Sequence, residues 1–320
     1  MPSFIPSIPA NSEINGQYDH ALARCSLRTI GNNTLPYTRS KLFTPITTAW
    51  THMDFNTSVG EGDTRPKTVV TWLNSDGLEV VALNVIEAPS AKIYMTYNNG
   101  AAWIQAGPLY GVEFIDKQTL DIRITVGGSG RIQVYNGGTK VIESGPINLT
   151  PIHNIAGINF SGYVSGFGTG VGPQISQCII ANQTTIGWRM DTYVPSGAGS
   201  LSDWTGDYTD IDEVVYNDAN FISTPTANAV SNFALTPVGA PDGSEIKAFV
   251  VTARARTGGA GPQNLQLNVN TDGTDFFSPS ILQDAGFLPN IGIWETNPNT
   301  GVKWVDADLV DIKGGVKAIA

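Results

Sequence analysis

From Lys67 onward, apolar and polar positions alternate in short runs separated by turn dipeptides. The run TLDIRITV states the pattern most cleanly. Leu120, Ile122, Ile124 and Val126 fall on one side and Asp121, Arg123 and Thr125 on the other, the period of a half-buried antiparallel strand. KTVVTWLN and LEVVALNVIE flank Asp76-Gly77, AKIYMTY and AAWIQAG flank Asn99-Gly100, and RIQVYN and TKVIES flank Asn136-Gly137. Each dipeptide favours the tight turn of a hairpin. A second region of alternation begins near Asp210, where NLQLNVN places Leu265, Leu267 and Val269 inward and Gln266, Asn268 and Asn270 outward. Only Asp306 to Ile312 reads as helix, with Asp306 as its N-cap and Gly314 as its stop.

This pattern predicts an all-β chain of two antiparallel β-sandwich, jelly-roll-like domains, with one short helix near the C-terminus. Residues 1–13 read as an extended N-terminal arm broken by prolines. That arm is either a frayed end or a strap docking on a neighbouring subunit through Phe4, Ile5 and Ile8. Residues 14–195 are expected to form the first sandwich, 196–205 a linker overlapping VPSGAGSLSD (Val194 to Asp203), and 206–320 the second sandwich.

Composition supports this division and removes several functions. Charged residues are only 14% of the 320, against about a quarter in ordinary domains, and 35 glycines and 19 prolines are spread along the chain. The net charge is −10 and no basic run exists, which excludes nucleic acid and anionic membrane as partners. The N-terminus lacks the basic start of a signal peptide, and no apolar run is long enough to span a bilayer. The two cysteines, Cys25 and Cys178, sit in apolar, strand-like runs and read as buried thiols. Set far apart among three isolated histidines, they do not form a zinc pattern.

Two stretches, RTGGAGPQNLQLNVNTDGTDFF (Arg256 to Phe277) and IWETNPNTGVKW (Ile293 to Trp304), resemble the C-terminal module of structural proteins from tailed bacteriophages. Residues 45–195, with WTHMDF and IANQTTIGWRMDTYVP, look like the concanavalin A-like lectin/glucanase sandwich of many phage virion proteins. WTGDYTDIDEV (Trp204 to Val214) is similar to the segment opening the next module. The resemblance implies a virion protein, made in the host bacterial cytoplasm, that contacts other virion proteins and forms a homo-oligomer such as a trimer. It also implies a host cell-surface glycan as a candidate partner.

Catalytic motifs are missing where that resemblance would want them. Glucanases on this sandwich carry Glu-x-Asp-x-x-Glu on one strand; the nearest carboxylates here, Glu79 and Glu87, have no spaced partner. GGSG (Gly127 to Gly130) is no nucleophile elbow, and GFGTGVG (Gly166 to Gly172) misses the dinucleotide-binding spacing. His20, His52 and His153 read as structural, and no motif calls for a cofactor. The expectation is therefore a non-enzymatic protein.

Two weaker site candidates stay open. Asp207, Asp210 and Asp212, beside Asp203 and Glu213, offer oxygen ligands to calcium if Asp210 and Asp212 share one face of a strand; a hydrated acidic patch is the favoured reading. In the aromatic candidate, a two-residue turn at Asn99-Gly100 puts Ile93, Met95, Tyr97, Ala102 and Ile104 on the core face. Tyr94, Thr96, Trp103 and Gln105 then share the outer face, with Tyr94 and Trp103 diagonal to one another as a platform for a sugar or a subunit. A three-residue turn would instead turn Trp103 into the core.

Overall fold

The computed structural model describes residues 3–4, 12–13, 26–28, 38–39, 42–56, 67–86, 91–112, 118–160, 174–213, 217–236, 240, 243–259 and 261–320. Cys25, His20, Glu87, Ile5, Ile8 and the glycine run 166–172 lie outside them. The chain divides into two units, Met1–Asp191 and Thr192–Ala320.

Among the described residues, fourteen strands build the first unit. They begin with β1 (Ser3–Phe4), β2 (Ser12–Glu13), β3 (Ser26–Arg28), β4 (Thr38–Arg39), β5 (Thr48–Asn56), β6 (Lys67–Leu73) and β7 (Glu79–Ile86). There follow β8 (Lys92–Asn98), β9 (Trp103–Gly111), β10 (Gln118–Thr125), β11 (Arg131–Asn136), β12 (Thr139–Glu143), β13 (Gly157–Phe160) and β14 (Gln174–Ala181). One sheet runs β12-β11-β10-β5-β14-β3-β2 with β1 also on β14; the other runs β4-β13-β6-β7-β8-β9. All described pairings are antiparallel.

Alternation decides which residues meet between the sheets. Met53, Phe55, Leu120, Ile122, Ile124 and Ile132 from one sheet, and Val70, Trp72, Leu83, Ile93, Met95 and Phe160 from the other, are buried in one cluster. Each such side chain contributes roughly 1.5–3 kcal/mol by leaving water, which makes this core the main stabiliser of the unit. A polar stitch across it is Trp72 Nε1, which donates to Thr51 Oγ1 on the facing sheet at 2.8 Å. The turns follow their residues. Gly77 (φ 74°) closes the β6–β7 loop, with Asn74 Oδ1 accepting from the backbone of Asp76 and Leu78. Gly137 and Gly138, both at positive φ, form the two-residue turn between Asn136 and Thr139.

The segment expected as an N-terminal arm supplies strands to its own chain. Ser3 and Phe4 pair with Ile180 and Ile179, and Ser12 and Glu13 pair with Leu27 and Ser26. Edge backbone on a sheet offers unpaired N–H and C=O groups, and these short strands satisfy some of them.

The second unit holds β15 (Pro195–Ser202), β16 (Val230–Leu235), β17 (Phe249–Ala255), β18 (Asn264–Thr271), β19 (Thr274–Phe277), β20 (Ile281–Leu282), β21 (Leu288–Trp294) and β22 (Lys313–Ile319). Six strands make one sheet, β15-β16-β22-β18-β19 with β20 on β18, while β17 and β21 form a separate two-stranded ribbon. The expected linker is thus the edge strand β15. Its Gly/Ser composition hid a pairing that β16 imposes: Asn232 Oδ1 accepts from the backbone of Ser200 and Leu201. A Cβ at Gly199 would lie 2.0 Å from that oxygen.

Ribbon and sheet share a small core of Phe249, Val269, Trp304 and Ile312. Trp304 packs 5.7 Å from Phe249 and donates from Nε1 to the Trp294 carbonyl at 2.7 Å. The expected helix shrinks to a 3-10 turn, Asp306–Leu309, because β22 claims the chain from Lys313. Asp308 rather than Asp306 takes the capping role, accepting from the Val305 backbone N–H at 2.8 Å.

Candidate functional site

The Tyr94–Trp103 platform does not assemble. Asn98 pairs with Trp103 and Tyr97 with Ile104, so the turn spans Asn99 to Ala102 and is two residues longer than an Asn99-Gly100 turn. Asn99 Oδ1 builds it by accepting from the backbone of Ala101 and Ala102. A slip of two keeps face parity, so Trp103 does point outward, at 44% exposure. It also moves Trp103 four residues from Tyr94 along the sheet, about 13 Å at strand rise. Tyr94 is itself only 8% exposed, and burial raises the pKa of its phenol. Ile104, expected in the core, is 38% exposed because β9 is the sheet edge.

A different set converges on the outer face of the eight-stranded sheet. Register places His52 of β5 directly opposite Asp121 of β10. His52 Nδ1 lies 3.0 Å from Asp121 Oδ1, and Thr185 Oγ1 donates to the same oxygen at 2.7 Å. Beside them, Asp54 accepts from Thr119 Oγ1 and from Gln177 Nε2, while Gln177 Oε1 accepts from the Met190 backbone. Trp50 stacks on Tyr135 at 5.5 Å, with the Arg123 guanidinium 5.6 Å from the Trp50 ring. A histidine–carboxylate pair can move protons when substrate reaches it. Here His52 and Asp121 are 2% and 1% exposed, and residues 185–190 bond down across them. Sequence reading missed the pair because its members are 69 residues apart and only strand register joins them. Of the other expected groups, Glu79 accepts from Asn159 Nδ2 at 2.8 Å, His153 is exposed at φ 65°, and Cys178 is a buried free thiol pushed up to about 12 by desolvation.

The acidic candidate takes a form other than a strand. Residues Tyr208–Asp210 are a 3-10 turn, with Asp207 Oδ1 accepting from the Thr209 backbone and hydroxyl. Those bonds lower the Asp207 pKa. Asp210 Oδ2 accepts from the Asp207 backbone, so both carboxylates hold the turn together, while Asp212 is exposed in the loop beyond. Asp203 accepts from the Val230 backbone. Among the described residues, no group of three or more His, Cys, Asp or Glu side chains is placed to hold a metal ion.

Asn268 and Asn270, expected outward, are 0% and 1% exposed. Asp275 Oδ1 accepts Nδ2 bonds from Asn232, Asn268 and Asn270, all within 3.1 Å. Asn232 and Asp275 sit on β16 and β19 with two strands between them; in a flat sheet those strands would be about 14 Å apart. The sheet therefore curls around the carboxylate. Gly315, opposite both Asn232 and Asn268, has no space for a side chain: a Cβ would fall 2.7 Å from Asn232 Cα.

At the far end of the ribbon, Arg254 chelates Asp218 at 2.6 and 2.7 Å and lowers its pKa. Exposed Arg256, two residues along, stands 4.7 Å from the Phe287 ring and 5.9 Å from Phe221. The two rings are 6.0 Å apart.

No protein-family model matches the chain, and no curated protein matches it. Among solved structures it is similar to the heptameric SAP-like pentraxin of Limulus polyphemus, at 11% identity and a TM-score of 0.36, over 50% of this chain and 75% of that one. Alginate lyase A1-II', of polysaccharide lyase family-7, gives 10% identity and 0.36 over 58% of this chain and 86% of that one. A sialidase gives 11% and 0.33 over 45% of this chain; the chain spans only 14% of the sialidase. At such identities and scores no activity transfers, and the all-β assignment stands on the sheet topology itself.

Proposed function

We propose that this chain is a non-enzymatic structural component of a tailed-phage particle: a compact tail appendage, tail-tip subunit or capsid decoration. In this reading it is made in the host cytoplasm, joins other virion proteins and assembles as a homo-oligomer such as a trimer. The carrying observation is that, among the described residues, His52, Asp121 and Asp54, groups with catalytic capacity, are buried and held in structural hydrogen bonds: Asp121 by His52 and Thr185, Asp54 by Thr119 and Gln177. The phage context is supported by the resemblance of Arg256 to Phe277 and Ile293 to Trp304 to virion proteins. Mass spectrometry of gradient-purified virions from the phage encoding the chain should find it at a fixed copy number. Its absence from particles would overturn the proposal.

A second reading, recognition of a host glycan, is favoured by the outward Trp103 beside exposed Gln105 on an edge strand. A glycan-binding protein would retain a labelled cell-surface polysaccharide at its original length. Shortening of that polysaccharide, abolished by His52→Ala, would establish an enzyme and contradict both readings.

A further inference from the structure

We propose that Arg256, Phe287 and Phe221 form a binding site for the carboxylate-bearing sugars of an acidic polysaccharide. The site lies in the second unit, uses none of the residues named for glycan recognition above, and goes beyond the proposed structural role. Arg254, near the end of β17, and Arg256, just past it, both reach the Phe287 ring, at 5.8 and 4.7 Å. They differ in what neutralises them. Arg254 is held bidentate by Asp218, whereas among the described residues Arg256 has no carboxylate within ion-pair distance. Instead it stands over two phenyl rings, and Asp218, already chelated by Arg254, meets its charge only through space.

A guanidinium with no carboxylate bonded to it matches an incoming carboxylate through two parallel N–H bonds, a geometry that a lysine cannot reproduce. Beside it, Phe221 is 44% exposed and offers a flat apolar surface. Gly258 and Gly259, just beyond Arg256, have open space where a Cβ would be, leaving room for a ligand. An acidic sugar carries both complements at once: a carboxylate for the guanidinium and a C–H face for the ring. Nucleic acid is a poor fit, because a single guanidinium at this site cannot supply the several phosphate contacts such binding needs. The chain's net charge of −10 opposes a polyanion at long range, but physiological salt screens that repulsion beyond about 8 Å.

Titration of the full chain with polygalacturonate, neutral dextran and polyglutamate tests this. Polygalacturonate should bind and dextran should not, and polyglutamate should bind more weakly because it lacks a sugar face. Arg256→Ala and Phe287→Ala should each weaken polygalacturonate binding about tenfold, with the melting temperature unchanged. Arg256→Lys keeps the charge and the fold but should recover little affinity. Trp103→Ala should leave this binding intact. The proposal is overturned if polygalacturonate does not bind, if Arg256→Ala and Arg256→Lys bind it as tightly as the native chain, if polyglutamate binds equally well, or if the loss follows Trp103.

Discussion

The two units use similar strands and stabilise them differently. In Met1–Asp191, two broad sheets enclose a continuous aliphatic core, and the polar side chains His52, Asp54 and Asp121 pack on the back of one sheet. In Thr192–Ala320, a single curled sheet closes around one carboxylate and meets a two-stranded ribbon through four buried side chains. The first unit spreads its stability over many residues, so single changes should be absorbed. The second concentrates it in Trp304 and Asp275, so single changes there should be felt in full.

The largest effect is expected at Trp304. Trp304→Ala empties a 2% exposed aromatic site and strands the Trp294 carbonyl, which should cost the second unit about 3–5 kcal/mol. Calorimetry should show one transition moving down while that of the first unit stays. A shift of both together would mean that the units fold as one.

Asp275 comes next. Asp275→Ala leaves three amide donors without their acceptor and should cost at least about 1–3 kcal/mol in a denaturant titration, with Asp275→Asn recovering part of it. A neutral Asp275→Ala would show that water, not the carboxylate, satisfies those asparagines.

How much of this was legible in the sequence differs between the units in the same way. TLDIRITV alternates without exception, and Leu120, Ile122 and Ile124 are fully buried because one strict period leaves one choice of face. NLQLNVN alternates equally well, yet Asn268 and Asn270 on its polar face are buried, as Asp121 is on the other strand. Those asparagines donate to Asp275 on the next strand, which Asn232, two strands away on the other side, also reaches, and no local pattern reports that. β15 was unreadable for a related reason: glycine and serine have little strand preference, and it is the close approach of Asn232 that demands glycine at position 199. At the outer aromatics, face parity was readable. Loop length was not, because Asn99 bonds within its own turn and lengthens it by two residues.

Smaller effects should mark the first unit. Trp103→Ala should change stability by no more than about 0.5 kcal/mol, since its ring is 44% exposed and leaves no core cavity. A loss of about 3–5 kcal/mol would return Trp103 to the core. Smallest of all, Cys178, with its thiol pushed up to about 12, should remain unlabelled by maleimide at neutral pH until the unit unfolds, as peptide mapping would reveal. Labelling of the native chain at Cys178 would show that the core opens readily.

The central claim is that these two units serve as structure in a particle rather than as a free enzyme. Gold-labelled antibody against the chain, imaged on virions of the phage that encodes it, tests this most directly. The account predicts label at one fixed position on every particle. Bare particles, with the chain left in the soluble lysate, would contradict it.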